Sequence, residues 1–311
     1  MIDKAPLETA GLYFTMWPHT RTKLKQPNKV SLLYDGFTTK LRRMNTAQNK
    51  VSTLWMDGPL RRIDAICLAS MVAQGLDVTV YTYGDIPNLP KGVKGADAEP
   101  ILARRFIDRL SLIKKQDNNS WQPIANFSDF FRVQLMKHRK GLWLDSDVFV
   151  FRPFEYDTRD VFFAKEDAVR IGSPVYYLPH DHPVIAEFDQ LMAQETLMPN
   201  WLGFKRGFLR PLVWKLRGIA YSPPDLGITI YGNDAFTRLA KRHGDYKKAL
   251  PKHTFYHWTG KKTDQLFHDV DFSFLQNDPK HLGIHIHRKH WEHELTVKGS
   301  WWDWAQNKYT S

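Results

Sequence analysis

Cysteine is almost missing from this chain: Cys67 is the only one in 311 residues. A single thiol cannot close an intrachain disulfide, so the sequence carries no mark of an oxidising compartment. Long apolar runs are missing too. No stretch approaches the ~18 apolar residues that a membrane span needs. The start, Met1-Ile2-Asp3-Lys4, lacks the charged-then-apolar order of a signal peptide. The default expectation is therefore a cytoplasmic protein. Neither an internal repeat nor a low-complexity tract is present, which argues against a solenoid or a disordered array.

The length suits one large domain or two small ones, and 42% hydrophobic with 25% charged residues suits a globular core. Aromatics are plentiful, with 19 Phe, 12 Tyr and 11 Trp. Flat rings serve equally as core filling and as platforms for sugars or bases. Positive charge dominates, with 44 Lys+Arg against 33 Asp+Glu and a formal net charge of +11. That balance favours polyanionic partners: nucleic acid, anionic lipid or phosphorylated substrates.

Residues 1–51 are weakly patterned and basic, with strand-like runs at Leu12-Tyr13-Phe14 and from Val30 to Tyr34. Thr53-Leu54-Trp55 reads as a buried strand that enters the turn Met56-Asp57-Gly58-Pro59. Ile63, Ile66, Cys67, Ser70 and Met71 then fall at helical spacing up to Gly75, and Val78 to Tyr83 is a β-branched and aromatic strand. This strand–helix–strand order predicts an α/β domain with a mainly parallel sheet. Ser128 is expected to cap a helix that ends at Gly141, and Leu142 to Phe151 is expected as one strand closed by Pro153. Further on, a strand is expected at Tyr176-Tyr177-Leu178, helices after Pro183 and over 233–242, and short strands over 254–258 and 283–287. Trp301, Trp302 and Trp304 end the chain in a Trp-rich tail, 292–311, expected to pack on the domain.

The most informative segment is Leu142-Trp143-Leu144-Asp145-Ser146-Asp147-Val148-Phe149-Val150. Two carboxylates two residues apart on a strand share a face. Placing like charges side by side in apolar surroundings is costly unless a cation neutralises them, and a hard divalent ion that also meets a diphosphate would do so. Asp129 and Arg132 are three apart, the spacing of one helix face in a first turn. Spacing alone favours an ordinary intrahelical ion pair.

These residues resemble a known family. Ser128-Asp129-Phe130-Phe131-Arg132 followed by Gly141-Leu142-Trp143-Leu144-Asp145-Ser146-Asp147 is similar to the signature of DXD-containing retaining glycosyltransferases of the Och1 and α-1,4-galactosyltransferase type, a group that includes bacterial capsular and lipopolysaccharide sugar transferases. Leu54-Trp55-Met56-Asp57-Gly58-Pro59, Gly232-Asn233-Asp234-Ala235-Phe236-Thr237, Phe255-Tyr256-His257-Trp258 and Gly283-Ile284-His285-Ile286-His287 extend the resemblance over 52–291. Gly-Asn-Asp stands where the family has Gly-Pro, Lys140-Gly141 where Gly-Gly is common, and no Trp-Asn follows the histidine.

The resemblance implies a GT-A-like (Rossmann-like) fold, a mixed, mainly parallel sheet flanked by helices with C-terminal additions. It also implies Mn²⁺ or Mg²⁺ and a nucleotide-sugar donor, a UDP-hexose ahead of GDP-mannose. The hexose would pass with retention to a glycan or lipid-linked glycan in surface polysaccharide or lipopolysaccharide synthesis. Trp55 would stack on the base, Asp129 and Arg132 would hold sugar and ribose, and Asp145 would reach ribose, sugar and metal. Asp147 would ligate the metal, Asp234 would lie on the acceptor side, and His285 would sit near metal and diphosphate, with His287 and His257 left open as alternatives.

Two other features stand apart from that signature. His281, His285, His287, His290 and His293 cluster near the C-terminus without the cysteines or HExxH pattern of a zinc site. Residues 201–218 carry Lys205, Arg206, Arg210, Lys215 and Arg217 among Trp, Phe and Leu, with no acid. That suits either an anionic membrane surface or a basic cover over a cleft with its apolar residues buried, with Pro211 breaking any continuous helix. Rival readings are a metal-dependent phosphohydrolase or nucleotidyltransferase on the same Asp pair, and a basic nucleic-acid binder. For the latter no recognised motif is present.

Overall fold

The computed structural model describes residues 47–112, 122–287 and 296–309. The chain divides into two units, Met1–Met44 and Asn45–Ser311, and every described residue belongs to the second. The strands expected at Leu12–Phe14 and Val30–Tyr34 lie outside the described residues, as do His290 and His293.

The elements run β1 (Ala47–Gln48), β2 (Lys50–Leu54), α1 (Arg62–Ala73), β3 (Asp77–Thr82), β4 (Lys94–Asp97), α2 (Phe106–Leu112), α3 (Gln122–Lys137), β5 (Leu142–Leu144) and β6 (Val148–Val150). After them come β7 (Tyr156–Asp157), β8 (Phe162–Lys165), β9 (Ile171–Tyr177), α4 (Pro183–Ala193), α5 (Arg210–Leu216), α6 (Asn233–Arg242), α7 (Ser273–Asn277), β10 (Gly283–His285) and α8 (Trp301–Tyr309). The main sheet has six strands in the order β4-β3-β2-β5-β9-β8. The first four are parallel, while β9 runs antiparallel to both β5 and β8. This is the mixed, mainly parallel α/β sheet that the strand–helix–strand order predicts.

Val51, Val78, Val80, Leu142 and Leu144 are buried, as central strands covered on both faces require. From β2 the chain steps outward to β3 and β4, then returns to place β5 on the other side of β2. The order of strands therefore reverses between β2 and β5. Beyond the carboxyl ends of strands at such a reversal a crevice opens, because the two connections leave towards opposite sides.

Three local expectations change. First, α3 begins at Gln122, with Pro123 in its first turn where a missing N–H is harmless. Ser128 is thus inside the helix, donating its hydroxyl to the Ala125 carbonyl at 2.8 Å, and Asp129 and Arg132 lie beyond the first turn. Second, Leu142 to Phe151 is not one strand. Asp145-Ser146-Asp147 forms a turn, closed by the Val148 amide donating to Asp145 O at 3.0 Å, between β5 in the main sheet and β6, which pairs with β10 in a separate two-stranded ribbon. Asp and Ser favour such turns because their side chains compete with the ladder. Third, 254–258 forms no strand. Its Thr254 and Phe255 carbonyls accept from Leu282 and His285 instead.

Candidate metal and donor site

Trp55 follows the last residue of β2 and Asp145 follows the last residue of β5, so both stand at the reversal point of the sheet. The crevice there is a cavity of about 480 Å³ lined by Thr53 to Asp57, by Ile124, Ala125 and Ser128 of α3, and by Trp143, Asp145, Ser146 and Asp147. Trp55 donates its indole N–H to Gly58 O at 3.2 Å, and the Arg61 guanidinium lies 5.8 Å from its ring centroid. The ring is held at its edge by the Met56–Pro59 turn and lines the cavity.

The two aspartates converge although they sit in a turn rather than on a strand. One ligating atom from each of Asp145, Asp147 and His285 lies within 4.8 Å of the others. It is the β6–β10 pairing that delivers the histidine. His285 is opposite Val148, one residue past Asp147, and the Ile286 amide donates to Asp147 O at 3.0 Å. His285 Nε2 is 3.3 Å from Asp147 Oδ1. Burial pulls the His285 pKa down, but the charge and hydrogen bond of Asp147, with Asp145 and Glu166 behind, outweigh it and the net shift is upward. For Asp147, burial pushes up while His285, Arg61 and His287 pull harder, and its pKa falls. Two carboxylates and an imidazole, one carboxylate already paired with that imidazole, form a donor set suited to a divalent ion.

Of the alternatives for the histidine, His287 lies behind, its ring 5.3 Å from that of His285. Burial and then the His285 charge lower its pKa. His257 packs on His281 and Phe274. Neither joins the carboxylates, and among the described residues no second group with metal-ligand spacing occurs.

Arg132 is buried, with its guanidinium 4.7 Å from the Trp143 ring centroid. It donates to the carbonyls of Ser128 and Ser173 and to Ser128 Oγ, and stands 3.4 Å from Asp129 and 3.6 Å from Asp145. The pair that spacing alone reads as an ordinary intrahelical ion pair is a buried cation joining two acids. Trp143 Nε1 also donates to Asp145 Oδ1. Asp129 is held up at a pKa of about 7, mainly by burial and further by Asp145, against the pull of Arg132.

Asp234 opens α6 and is paired with Arg206 at 2.6 Å. Beside it, Asn233 accepts from the Ser173 amide at 2.9 Å and donates to Glu166. Ser173 also accepts from Arg132, so the start of α6 is tied to the Asp129–Arg132–Asp145 network through β9. No direct contact joins Asp234 to the carboxylate–histidine group.

Sequence reading missed Asp64. It is fully buried in α1, bound through two hydrogen bonds by Arg61, and accepts from Ser146 Oγ at 2.7 Å. It therefore fixes the middle residue of the Asp145–Asp147 turn. A signal existed: Asp64, Cys67, Leu68 and Met71 share one helix face, and an acid on an otherwise apolar face calls for a partner.

Fold and site together define an α/β protein with an acidic, histidine-flanked crevice at the reversal point of its sheet. Residues 103–172, which carry Asp129, Arg132, Asp145 and Asp147, match the family described as capsular polysaccharide synthesis protein. Two solved structures are similar at low identity. The PaToxG glycosyltransferase is 12% identical over 69% of this chain and 78% of that one, with a TM-score of 0.38. Mouse xyloside xylosyltransferase 1, apo form, is 8% identical over 76% and 97%, with a TM-score of 0.34. No curated protein matches, and no described helix is long and apolar enough to cross a membrane.

Proposed function

We propose that this chain is a metal-dependent glycosyltransferase that moves a hexose from a nucleotide sugar to a glycan or lipid-linked glycan, with retention at the anomeric carbon, in surface polysaccharide synthesis. The observation that carries the reading is the meeting of Asp145, Asp147 and His285 within 4.8 Å beside a cavity that Trp55 also lines. The partial match to the capsular family supports it.

Asp145, Asp147 and His285 would hold the ion. Carboxylates suit Mn²⁺ and Mg²⁺ alike, and the imidazole favours Mn²⁺. When bound, the ion supplies positive charge to the diphosphate leaving group. Trp55 offers its face to the base of the donor, a UDP-hexose ahead of GDP-mannose. Arg132 holds Asp145 and Asp129 in place, and these acids accept from hydroxyls of ribose and sugar. The bond between the anomeric carbon and the phosphate oxygen breaks, the acceptor oxygen bonds to that carbon on the same face, and its proton passes to the departing diphosphate. Asp234, beside the start of α6, is assigned to the acceptor side.

A thermal-shift screen of UDP-sugars and GDP-mannose with Mn²⁺ tests the reading. A donor at a hundred times its dissociation constant stabilises by about 2.7 kcal/mol, and Asp147→Asn should abolish the shift. Products with an inverted anomeric centre would overturn retention. Phosphate release without an acceptor would move the assignment to a phosphohydrolase.

A further inference from the structure

Among the described residues, most of the large hydrophobic side chains left in solvent gather in one place. Phe204, Phe208, Leu212 and Leu216 are 69%, 57%, 40% and 79% exposed, and Leu209 and Ile219 beside them are also exposed. The first four recur every fourth residue along a π-helical turn, Phe204–Leu209, that runs directly into α5. Pro211 does not break this helix, because it falls in the first turn of α5. The rings of Phe204 and Phe208 stack with centroids 5.4 Å apart. The result is an unpartnered apolar stripe along one side of a helix.

The helix is fastened to the domain by the residues that lead into it and by one of its own side chains. Trp201 is buried and donates to Ile230 O at 2.8 Å. Arg206 turns inward, donating to Leu226 O and to Asp234 Oδ2. Pro211 is buried and Trp214 packs half-buried on the core, so the helix already has an inward apolar side; a surface helix meeting only water would not need a second apolar stripe facing out.

The charges around the stripe select its occupant. Lys205, Arg210, Lys215 and Arg217 flank it, all exposed, and no acid stands between Glu195 and Asp225. A second copy of the chain would bring these cations against their own kind. An acidic soluble polymer would satisfy the charges but leave the phenyl and leucyl groups in water. A bilayer surface with anionic headgroups satisfies both, taking the apolar side chains below the headgroups and leaving the cations among them.

We infer that the helix formed by residues 204–217 docks the protein on an anionic lipid surface, with Phe204, Phe208, Leu212 and Leu216 inserted and Arg206 tying that contact to Asp234. This inference does not depend on the catalytic reading, because the test counts no turnover.

The full chain is sedimented with vesicles of phosphatidylcholine alone and of equal parts phosphatidylcholine and phosphatidylglycerol. Wild type should pellet with the mixed vesicles at least tenfold more strongly than with the neutral ones. That preference should collapse at about 1 M salt, where the Debye length is about 3 Å. Phe208→Ser with Leu216→Ser, and separately Lys205→Glu with Lys215→Glu, should each weaken pelleting at least tenfold while leaving the far-UV circular dichroism unchanged. Equal pelleting with both vesicle types, or serine variants that pellet like wild type, would overturn the inference. So would concentration-dependent self-association that the serine variants abolish while wild type ignores vesicles, which would assign the stripe to a second copy.

Discussion

Asp129 shows what the site costs at the scale of one residue. Its carboxylate is buried against the backbone of Gly232, where an added Cβ would stand 2.8 Å from both oxygens. Arg132 offsets burial and Asp145 only in part, and the pKa rises from 3.8 to about 7. The folded state therefore binds a proton more tightly than the unfolded state. Between about pH 4 and 7 stability falls as pH rises, at roughly 1.4 kcal/mol per pH unit at most. Asp129→Asn removes that penalty. The variant should melt above wild type at pH 8, with the gap narrowing towards pH 4; a gap independent of pH, in thermal melts across that range, would contradict the ionisation argument. The sequence showed Asp129 and Arg132 on one helix face but not their depth. Three-residue spacing is the same for a surface pair and for a buried network, and the difference lies in β9 and Trp143, which cover them. Asp64 was less legible still, because its partner Ser146 is 82 positions away.

At the scale of elements, the site depends on a strand with little chain of its own. β10 is three residues long and contributes His285. Its start, Gly283, passes so close to β6 that a Cβ there would lie 2.5 Å from Phe149 O and 3.0 Å from the Phe255 ring. Backbone on one side and a buried ring on the other cannot yield cheaply, so Gly283→Ala should cost about 1–3 kcal/mol. It should also weaken Mn²⁺ binding, since the register that sets His285 opposite Val148 starts at this residue. Calorimetric melting and Mn²⁺ titration check both outcomes; unchanged metal affinity despite a lower melting point would separate β10 from the ligand set. A strand at 283–287 was readable from Ile284 and Ile286 and forms over Gly283–His285, but its partner was not readable, since alternation names a strand without naming its neighbour. The same limit explains the expected single strand over Leu142–Phe151: apolar residues on both sides of Asp145–Asp147 fit one strand as well as two strands in different sheets.

At the scale of the whole molecule, the apolar interior of the described residues forms two clusters that meet in α1. Leu68 and Met71 belong to the large cluster around β2, β3 and β5, while Ile63, Ile66 and Cys67 belong to a second cluster with Phe149, Leu266, Ile284 and Trp301. α8 packs on this second cluster, the Trp301 ring meeting Phe149 edge-on at 5.0 Å. Since one helix feeds both clusters, neither can open without stripping a face of α1, and Asn45–Ser311 should unfold as a cooperative unit. The sequence's scarcest residue reports on this. Cys67 is fully buried at the junction, and burial raises its thiol pKa well above 9.0, so in the folded protein it offers neither access nor thiolate to a disulfide reagent. Labelling across a urea series should stay negligible until the transition and then rise with the same midpoint as far-UV circular dichroism and tryptophan fluorescence. Trp301→Ala should lower all three midpoints together, because a large ring lost from a core costs about 3–5 kcal/mol of unfolding free energy. Labelling that leads the other two signals would instead mean that α8 and the second cluster open first, as a separate unit of lower stability. Because β10 lies in that cluster, His285 would then leave the aspartates before the main sheet melts, and Mn²⁺ would shift the labelling midpoint more than the other two.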